Sequence, residues 1–325
     1  MARILITVRS LVGTRDAPYL QILQSAGHEA VFAQIPSSYL TNEQLLHQLE
    51  GIDGVVASSE PYTRATFERY PELRVIARTG VGYDAIDLQA AADHHVVVMI
   101  AAGTNDSTVA ETAVAAMLNL TRELPMYYRR AAEGNWARET PPTELRGKTV
   151  GLIGLGRIGR AVAQRLGGFD VALIAAELYP DPAFVAAQGI ALTEVDGVFR
   201  RADIVSLHVP LSDATRNLVN RTRLALMKPS AFLVNTARGG LVEEDALYEA
   251  LAARRIAGAA LDVRIKEPPS DPRLAQLPNV LPTPHIAGVS RESIARMSQV
   301  AARNVVDVLA GAWDRGMVVN GVFAA

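Results

Sequence analysis

The sequence predicts an α/β protein with two doubly wound parallel-sheet domains, and three observations carry that prediction. A short apolar run, residues 149–153, feeds directly into Gly154, Gly156 and Gly159, and a helical pattern of Ile158, Ala161, Val162 and Leu166 follows. The first hundred residues alternate strand-length apolar runs with helical patterns but carry no such glycine loop. The alternation resumes beyond Glu177 and continues to His285. Alternating β and α segments imply parallel strands joined by helical crossovers.

Taken in order, residues 4–8, 29–33, 54–57, 74–77 and 96–100 read as strands, with helical stretches at 18–26, 42–49 and 86–92. Lacking a phosphate loop, this region reads as the substrate domain. Residues 107–124 form a long apolar helix, and Ser107, Thr108 and Glu111 suggest a capping box at its start. Residues 134–147, polar and containing Trp136, Pro141 and Pro142, read as an arm. Past Glu177, strands at 204–207, 232–235, 257–261 and 280–281 alternate with helices such as 243–253. A last helix at 290–309 and an extended tail at 317–323 are expected to return to the first domain, which lacks a terminal covering helix. The expected division is residues 1–101 with 289–325 for substrate and 102–288 for the dinucleotide.

Composition narrows the class. A length of 325 residues allows about two domains. Apolar residues make up 49% and charged residues 20%, which suits globular α/β material. A formal net charge of −2 advertises neither nucleic acid nor membrane phospholipid as a partner. The absence of cysteine excludes disulfides, thiolate chemistry and cysteine metal sites, and no metal is expected. Met1 leads straight into a strand-like run without a signal-peptide pattern, and no apolar stretch is long enough to span a bilayer. A cytoplasmic location is the expectation.

The loop Gly154-Leu-Gly156-Arg157-Ile158-Gly159 has the strand–turn–helix context of a dinucleotide fingerprint. One glycine permits the turn, one lets a pyrophosphate approach the backbone and one lets helix pack on strand. The phosphates then meet the positive end of the helix dipole. Glu177 closes the next strand, about 18 residues beyond Gly159, near the spacing at which an acid accepts hydrogen bonds from the adenosine ribose. Leu178, Tyr179 and Pro180 follow it, so a 2′-phosphate would meet a negative charge with no cation beside it. The expected cofactor is NAD rather than NADP.

Among six histidines, His285 stands out: it follows Leu-Pro-Thr-Pro after the last predicted strand, and Gly288 allows backbone proximity nearby. His208 ends a strand and is expected to face the cofactor crevice. Arg238 and Glu267 occupy equivalent strand ends. Each has a bland reading alone: a structural strand-end Arg, a solvated Glu before Pro-Pro, a turn His after Thr-Pro. On successive strand ends they supply what hydride transfer to a 2-oxo acid needs. An Arg fork holds the carboxylate and polarises the carbonyl. A His whose ordinary pKa lies near working pH donates the proton. A carboxylate behind the His orients it.

With these residues in place, the chain resembles the D-isomer-specific 2-hydroxyacid dehydrogenase family, in its 3-phosphoglycerate dehydrogenase and hydroxypyruvate reductase-like branch. The resemblance runs through residues 80–88 (GVGYDAIDL), 105–111 (NDSTVAE), 150–159, 202–215 (ADIVSLHVPLSDAT), 227–242 (MKPSAFLVNTARGGLV), 258–268 (GAALDVRIKEP) and 282–288 (PTPHIAG). It implies a flavodoxin-like substrate domain and a Rossmann NAD-binding domain with a cleft between them. It implies Arg238 as substrate ligand and His285 paired with Glu267 as acid/base, with the amides of Val81 and Gly82 on the substrate carboxylate. Thr108, His208, Pro210, Thr215, Thr236, Ala237, Asp262 and Gly288 would line the NAD site, with Asp262 near the carboxamide. A homodimer through the NAD-binding domains is implied, served by the helix from Thr108 and the arm around Trp136.

Three positions depart from the family pattern: Arg264 stands where Phe is frequent, residues 100–104 replace an Asn-Thr-Pro stretch, and Glu177 replaces Asp. Arg78 resembles the loop Arg of 3-phosphoglycerate dehydrogenases, which would place it on a phosphorylated acid; its bland reading is a solvated strand-end residue. Hydroxypyruvate and glyoxylate are equally compatible substrates. A second class remains open, an NAD-sensing corepressor of the same fold.

Overall fold

Parallel strands need crossovers long enough to return the chain to the same edge, and helices supply them here. The computed structural model describes residues 1–14, 16–35, 40–138 and 141–322. The chain divides into two compact units, Met1–Asn105 with Val289–Ala325 and Asp106–Gly288.

In the first unit, β1 (Arg3–Ile6), β2 (Glu29–Phe32), β3 (Gly54–Ala57), β4 (Val75–Arg78) and β5 (Val97–Met99) pair in parallel in the order β2-β1-β3-β4-β5. This is the flavodoxin-like order. Successive side chains point to opposite faces of a strand. Ile4 and Ile6 therefore join one core with Tyr19, Leu23, Ala301 and Val305, while Leu5 joins another with Leu45, Phe67 and Ala90. The first of these cores is closed by the helices Pro18–Ser25 and Arg291–Leu309, so the C-terminal helix belongs to this unit. Ser290 caps that helix, accepting from the Ser293 amide at 3.0 Å. After a short 3-10 turn at Arg315–Met317, the tail lies along β5. The Val319 amide donates to the Val98 carbonyl, and the Asn320 side chain accepts from the Val98 amide and donates to the Val96 carbonyl. Of the expected tail, Phe323 lies outside the described residues.

The second unit holds β6 (Thr149–Ile153), β7 (Ala172–Ala176), β8 (Ala191–Leu192), β9 (Ile204–Leu207), β10 (Phe232–Asn235), β11 (Gly258–Leu261) and β12 (Val280–Pro282). Their order is β12-β11-β10-β9-β6-β7-β8, all parallel. This is the Rossmann order with one added edge strand. The chain runs outward from β6 through β7 to β8, then returns to β9 on the other side of β6. Loops leaving the carboxyl ends of β6 and β9 diverge there and open the crevice where ligands bind in this topology. Val150, Leu152 and Val234 pack under the helices Asp106–Arg122 and Arg157–Leu166. Ile153, Val205 and Leu233 pack under Val195–Arg201 and Glu244–Ala252.

The long helix starts at Asp106, so Ser107 and Thr108 lie inside its first turn and the expected capping box does not form; the Ser107 hydroxyl instead donates to Glu111 at 3.1 Å. The helix stops at Arg122 because Glu123 takes a left-handed φ of 49°. A second helix, Leu124–Ala132, follows with Pro125 in its first turn and no fully buried residue, a weak apolar pattern that the sequence reading missed. In the expected arm, residues 139 and 140 lie outside the described residues, and Trp136 is 81% exposed.

Candidate active site

The glycine loop follows β6 at the reversal of strand order. Gly154 has a φ of +98°, and a Cβ there would lie 2.8 Å from the His208 carbonyl oxygen. At Gly159 a Cβ would lie 2.2 Å from the Gly154 carbonyl oxygen, so only glycine lets the helix sit so close to the turn. Gly156 is exposed at the N-cap of the helix Arg157–Leu166, leaving backbone amides open to an anion. Arg157 is exposed and donates to Asp106 at 2.6 Å, while Ile158 turns toward the core.

Glu177 reaches back to this loop. It accepts from the Leu155 amide at 2.5 Å and the Tyr179 amide at 3.0 Å. Burial pushes its carboxyl up, but the amides of Tyr179, Leu155 and Leu178 and the charge of Arg160 outweigh that and hold it below the usual range. The expectation that no cation lies near Glu177 is thus corrected. Arg160, one turn into the helix, is close enough to act on it, although its guanidinium is held by the Leu155 carbonyl and Asp181. Sequence proximity could not reveal this, since the fold rather than the chain brings Arg160 there.

His208 leaves β9 against the glycine loop. Both ring nitrogens are sealed from solvent without a hydrogen-bond partner, as are the Thr236 and Ser206 hydroxyls. Unsatisfied buried polar atoms call for an explanation, and a polar ligand over the strand ends would supply one. The glycine cradle, the orphaned hydroxyl of Thr236 and the ionised Glu177 fit a dinucleotide. Thr215 ties its own loop, donating to the Pro210 carbonyl at 2.7 Å. Ala237 donates its amide to Asn235, Thr108 lies in the first turn of the long helix, and Gly288 ends the unit.

Burial pushes His208 down to about 4 from 6.5. The unfolded chain takes up this proton below its ordinary value and the folded chain only near 4. Stability is therefore full above about 6.5 and declines as pH falls toward the folded value, by about 3 kcal/mol. Chemical denaturation at a series of pH values is expected to show this decline, and to show it flattened in His208→Leu. Parallel profiles for the two proteins would contradict the assignment.

Across the sheet, β10, β11 and β12 deliver the remaining residues. Glu267 and His285 meet: His285 Nδ1 lies 2.6 Å from Glu267 Oε2. Burial pushes the Glu267 carboxyl up. Hydrogen bonds from His285 and the Arg264 amide, with the charges of His285 and Arg238, outweigh it and keep the carboxyl below the usual range. Arg238 is thus near enough to act on Glu267; its Nη1 donates to its own neighbour's carbonyl, Ala237, at 2.6 Å. Asn235 fixes this turn, accepting from the Ala237 amide and donating to the Arg238 carbonyl. His285 is exposed, with a left-handed φ of 54°. Asp262, only 4% exposed, holds that strained loop, accepting from the Thr283 hydroxyl at 2.6 Å and from the Ile286 and Ala287 amides at 2.8 Å each. This anchoring role was not legible in the sequence, where the family resemblance placed Asp262 near the carboxamide of NAD.

In the first unit, Arg78 ends β4, and its Nε donates to the Gly82 carbonyl at 2.8 Å. It is only 9% exposed, so the reading of a solvated strand-end residue is corrected. Arg78, Val81 and Gly82 form one loop with its brace. Beneath it, the buried Glu60 accepts from Thr7, Ser58 and Tyr62 and ties the ends of β1 and β3.

Residues 114–287 match the family described as D-isomer specific 2-hydroxyacid dehydrogenase, NAD binding domain. The chain belongs to this family. Its cofactor is accordingly NAD(H). The chain is 38% identical over 295 residues to a D-3-phosphoglycerate dehydrogenase of Methanocaldococcus jannaschii, covering 90% of this chain and 55% of that one. It thus spans about half the length of that curated relative. It is 37% identical over 290 residues to a glyoxylate reductase of Thermofilum pendens, covering 86% of this chain and 84% of the relative. A D-lactate dehydrogenase from Aquifex aeolicus, solved with NAD and lactic acid, superposes with a TM-score of 0.86 at 26% identity, covering 98% of this chain and 99% of that one. Among the described residues, no helix is long and apolar enough to cross a membrane.

Proposed function

We propose that this chain interconverts a small 2-oxo acid and the corresponding D-2-hydroxy acid, with NAD(H) as the redox partner. The observation that carries the reading is the 2.6 Å contact of His285 Nδ1 with Glu267, beside an Arg238 whose charge acts on that same carboxylate. With Nδ1 committed to Glu267, the other ring nitrogen, Nε2, is the one that gives its proton to the carbonyl oxygen. Glu267, its carboxyl held below the usual range, is ionised and keeps the imidazole in that orientation. Arg238 binds the substrate carboxylate and draws electron density from the carbonyl. The nicotinamide, when bound, would be the source of the hydride for C2. The loop from Gly154 to Gly159 would hold the pyrophosphate, Glu177 the ribose, and Thr236, His208 and Thr215 the remaining polar edges. Arg78, Val81 and Gly82 are assigned to the substrate. The exposed Trp136 and Tyr128 support a homodimer through the NAD-binding units.

The test is NADH oxidation, repeated with NADPH, across 3-phosphohydroxypyruvate, hydroxypyruvate, glyoxylate and pyruvate. Turnover of at least one of them, with NADH preferred, is expected; no turnover on any would overturn the reading. Because Arg78 braces the Gly82 carbonyl, Arg78→Ala is expected to raise KM for all accepted substrates alike. A loss confined to 3-phosphohydroxypyruvate would make Arg78 a phosphate ligand instead.

A further inference from the structure

Glu267 sits on a turn without regular secondary structure, yet its carboxylate is aimed at His285. What holds that turn is a side chain outside the proposed catalytic set. Arg264 places its guanidinium in parallel on the Glu244 carboxylate, Nε to Oε1 and Nη2 to Oε2, both at 2.8 Å. The side chains are 10% and 25% exposed, so solvent screens the pair little. Glu244 begins the helix Glu244–Ala252, where the helix dipole favours an anion. Its Oε1 also accepts from the Ile265 amide at 2.9 Å. Glu244 thus grips both the side chain and the backbone of the turn. The Arg264 amide, held in this way, donates to Glu267 Oε1 at 2.9 Å, and the other oxygen, Oε2, meets His285. Burial pushes the Glu244 carboxyl up, but Arg264 and the Ile265 amide outweigh that and hold it below the usual carboxylate range.

We propose that Arg264 is a positioning residue: its bidentate pair with Glu244 fixes the turn whose amide presents Glu267 to His285. This rests on the reading of His285 and Glu267 as the acid/base pair. A turn carrying an apolar residue at 264 would have to be held by packing; here a charged fork on a helix start does so.

The experiment compares Arg264→Met, Glu244→Gln and the double variant with the unaltered full chain, alongside His285→Ala. For the first three, NADH affinity measured by fluorescence is expected to change by less than about twofold. Reduction of the best 2-oxo acid is expected to fall about 10- to 100-fold in kcat, as for a misplacement of about 1 Å. The fall is expected in kcat with KM for the 2-oxo acid little changed, because Arg238, which holds the substrate carboxylate, stands on its own turn fixed by Asn235. The single effects should not add in the double variant, since they break one pair. Lower melting temperature with unchanged kcat would overturn the proposal and leave Arg264 a stability residue. Should Arg264→Met not fold, Glu244→Gln, which keeps the shape of its site, decides the matter on the same readouts. If His285→Ala keeps turnover, the acid/base reading itself fails; if only His285→Ala is impaired, the positioning role alone fails.

Discussion

Turnover of a 2-oxo acid by His285→Ala is expected to be about 10²- to 10⁴-fold below that of the unaltered chain, the range a positioned general acid contributes. NADH binding is expected to stay nearly constant, because the glycine loop and Glu177 lie after β6 and β7, away from the loop that follows β12. The effect should fall on kcat and kcat/KM together, the signature of an interaction made in the transition state. Glu267→Gln should lose less, since the imidazole remains but its orienting anion does not. The depressed carboxyl of Glu267 gives the sign of its acid dependence: its contribution is present above the ordinary carboxylate range and is lost as pH falls through its lowered value. Near-normal turnover by His285→Ala in steady-state assays would remove the acid/base assignment.

Gly239→Ala is expected to be nearly as damaging, though Gly239 bears no functional group. A Cβ at this position would lie 2.0 Å from the Arg264 carbonyl carbon, 2.2 Å from its oxygen and 2.4 Å from the Ile265 nitrogen. All three are backbone atoms, so no rotamer change relieves the clash. The turn that presents Glu267 must move away from the turn that presents Arg238. Overpacking of this kind costs about 1–3 kcal/mol of stability. A displacement near 1 Å costs about 10²-fold in rate. A melting curve and kcat/KM for this variant, both indistinguishable from the unaltered chain, would show that the two turns are not so tightly interlocked.

Much of this was legible in the sequence because it is periodic or local. Strand-length apolar runs alternating with helical patterns announced the parallel sheets, and the spacing of Gly154, Gly156 and Gly159 after a strand announced the phosphate turn. Arg238, Glu267 and His285 could be singled out because each follows a strand of the same sheet, and strand ends lie side by side. The two-residue β8 and the unburied helix Leu124–Ala132 were missed, since neither presents a long enough apolar pattern.

What the sequence by itself determined, then, is the order of elements and which chemical groups stand at their ends; both follow from the apolar period and from residue identity. Only the tertiary structure decided which of those groups meet. Arg160 lies near Glu177, Asp262 grips the His285 loop, and Glu244 clamps Arg264, each across a gap in sequence that no period encodes. Such contacts depend on the direction in which turns leave neighbouring strands, which follows from strand order and close packing. A substitution as small as one methyl group at Gly239 is therefore expected to matter nearly as much as the loss of a catalytic side chain.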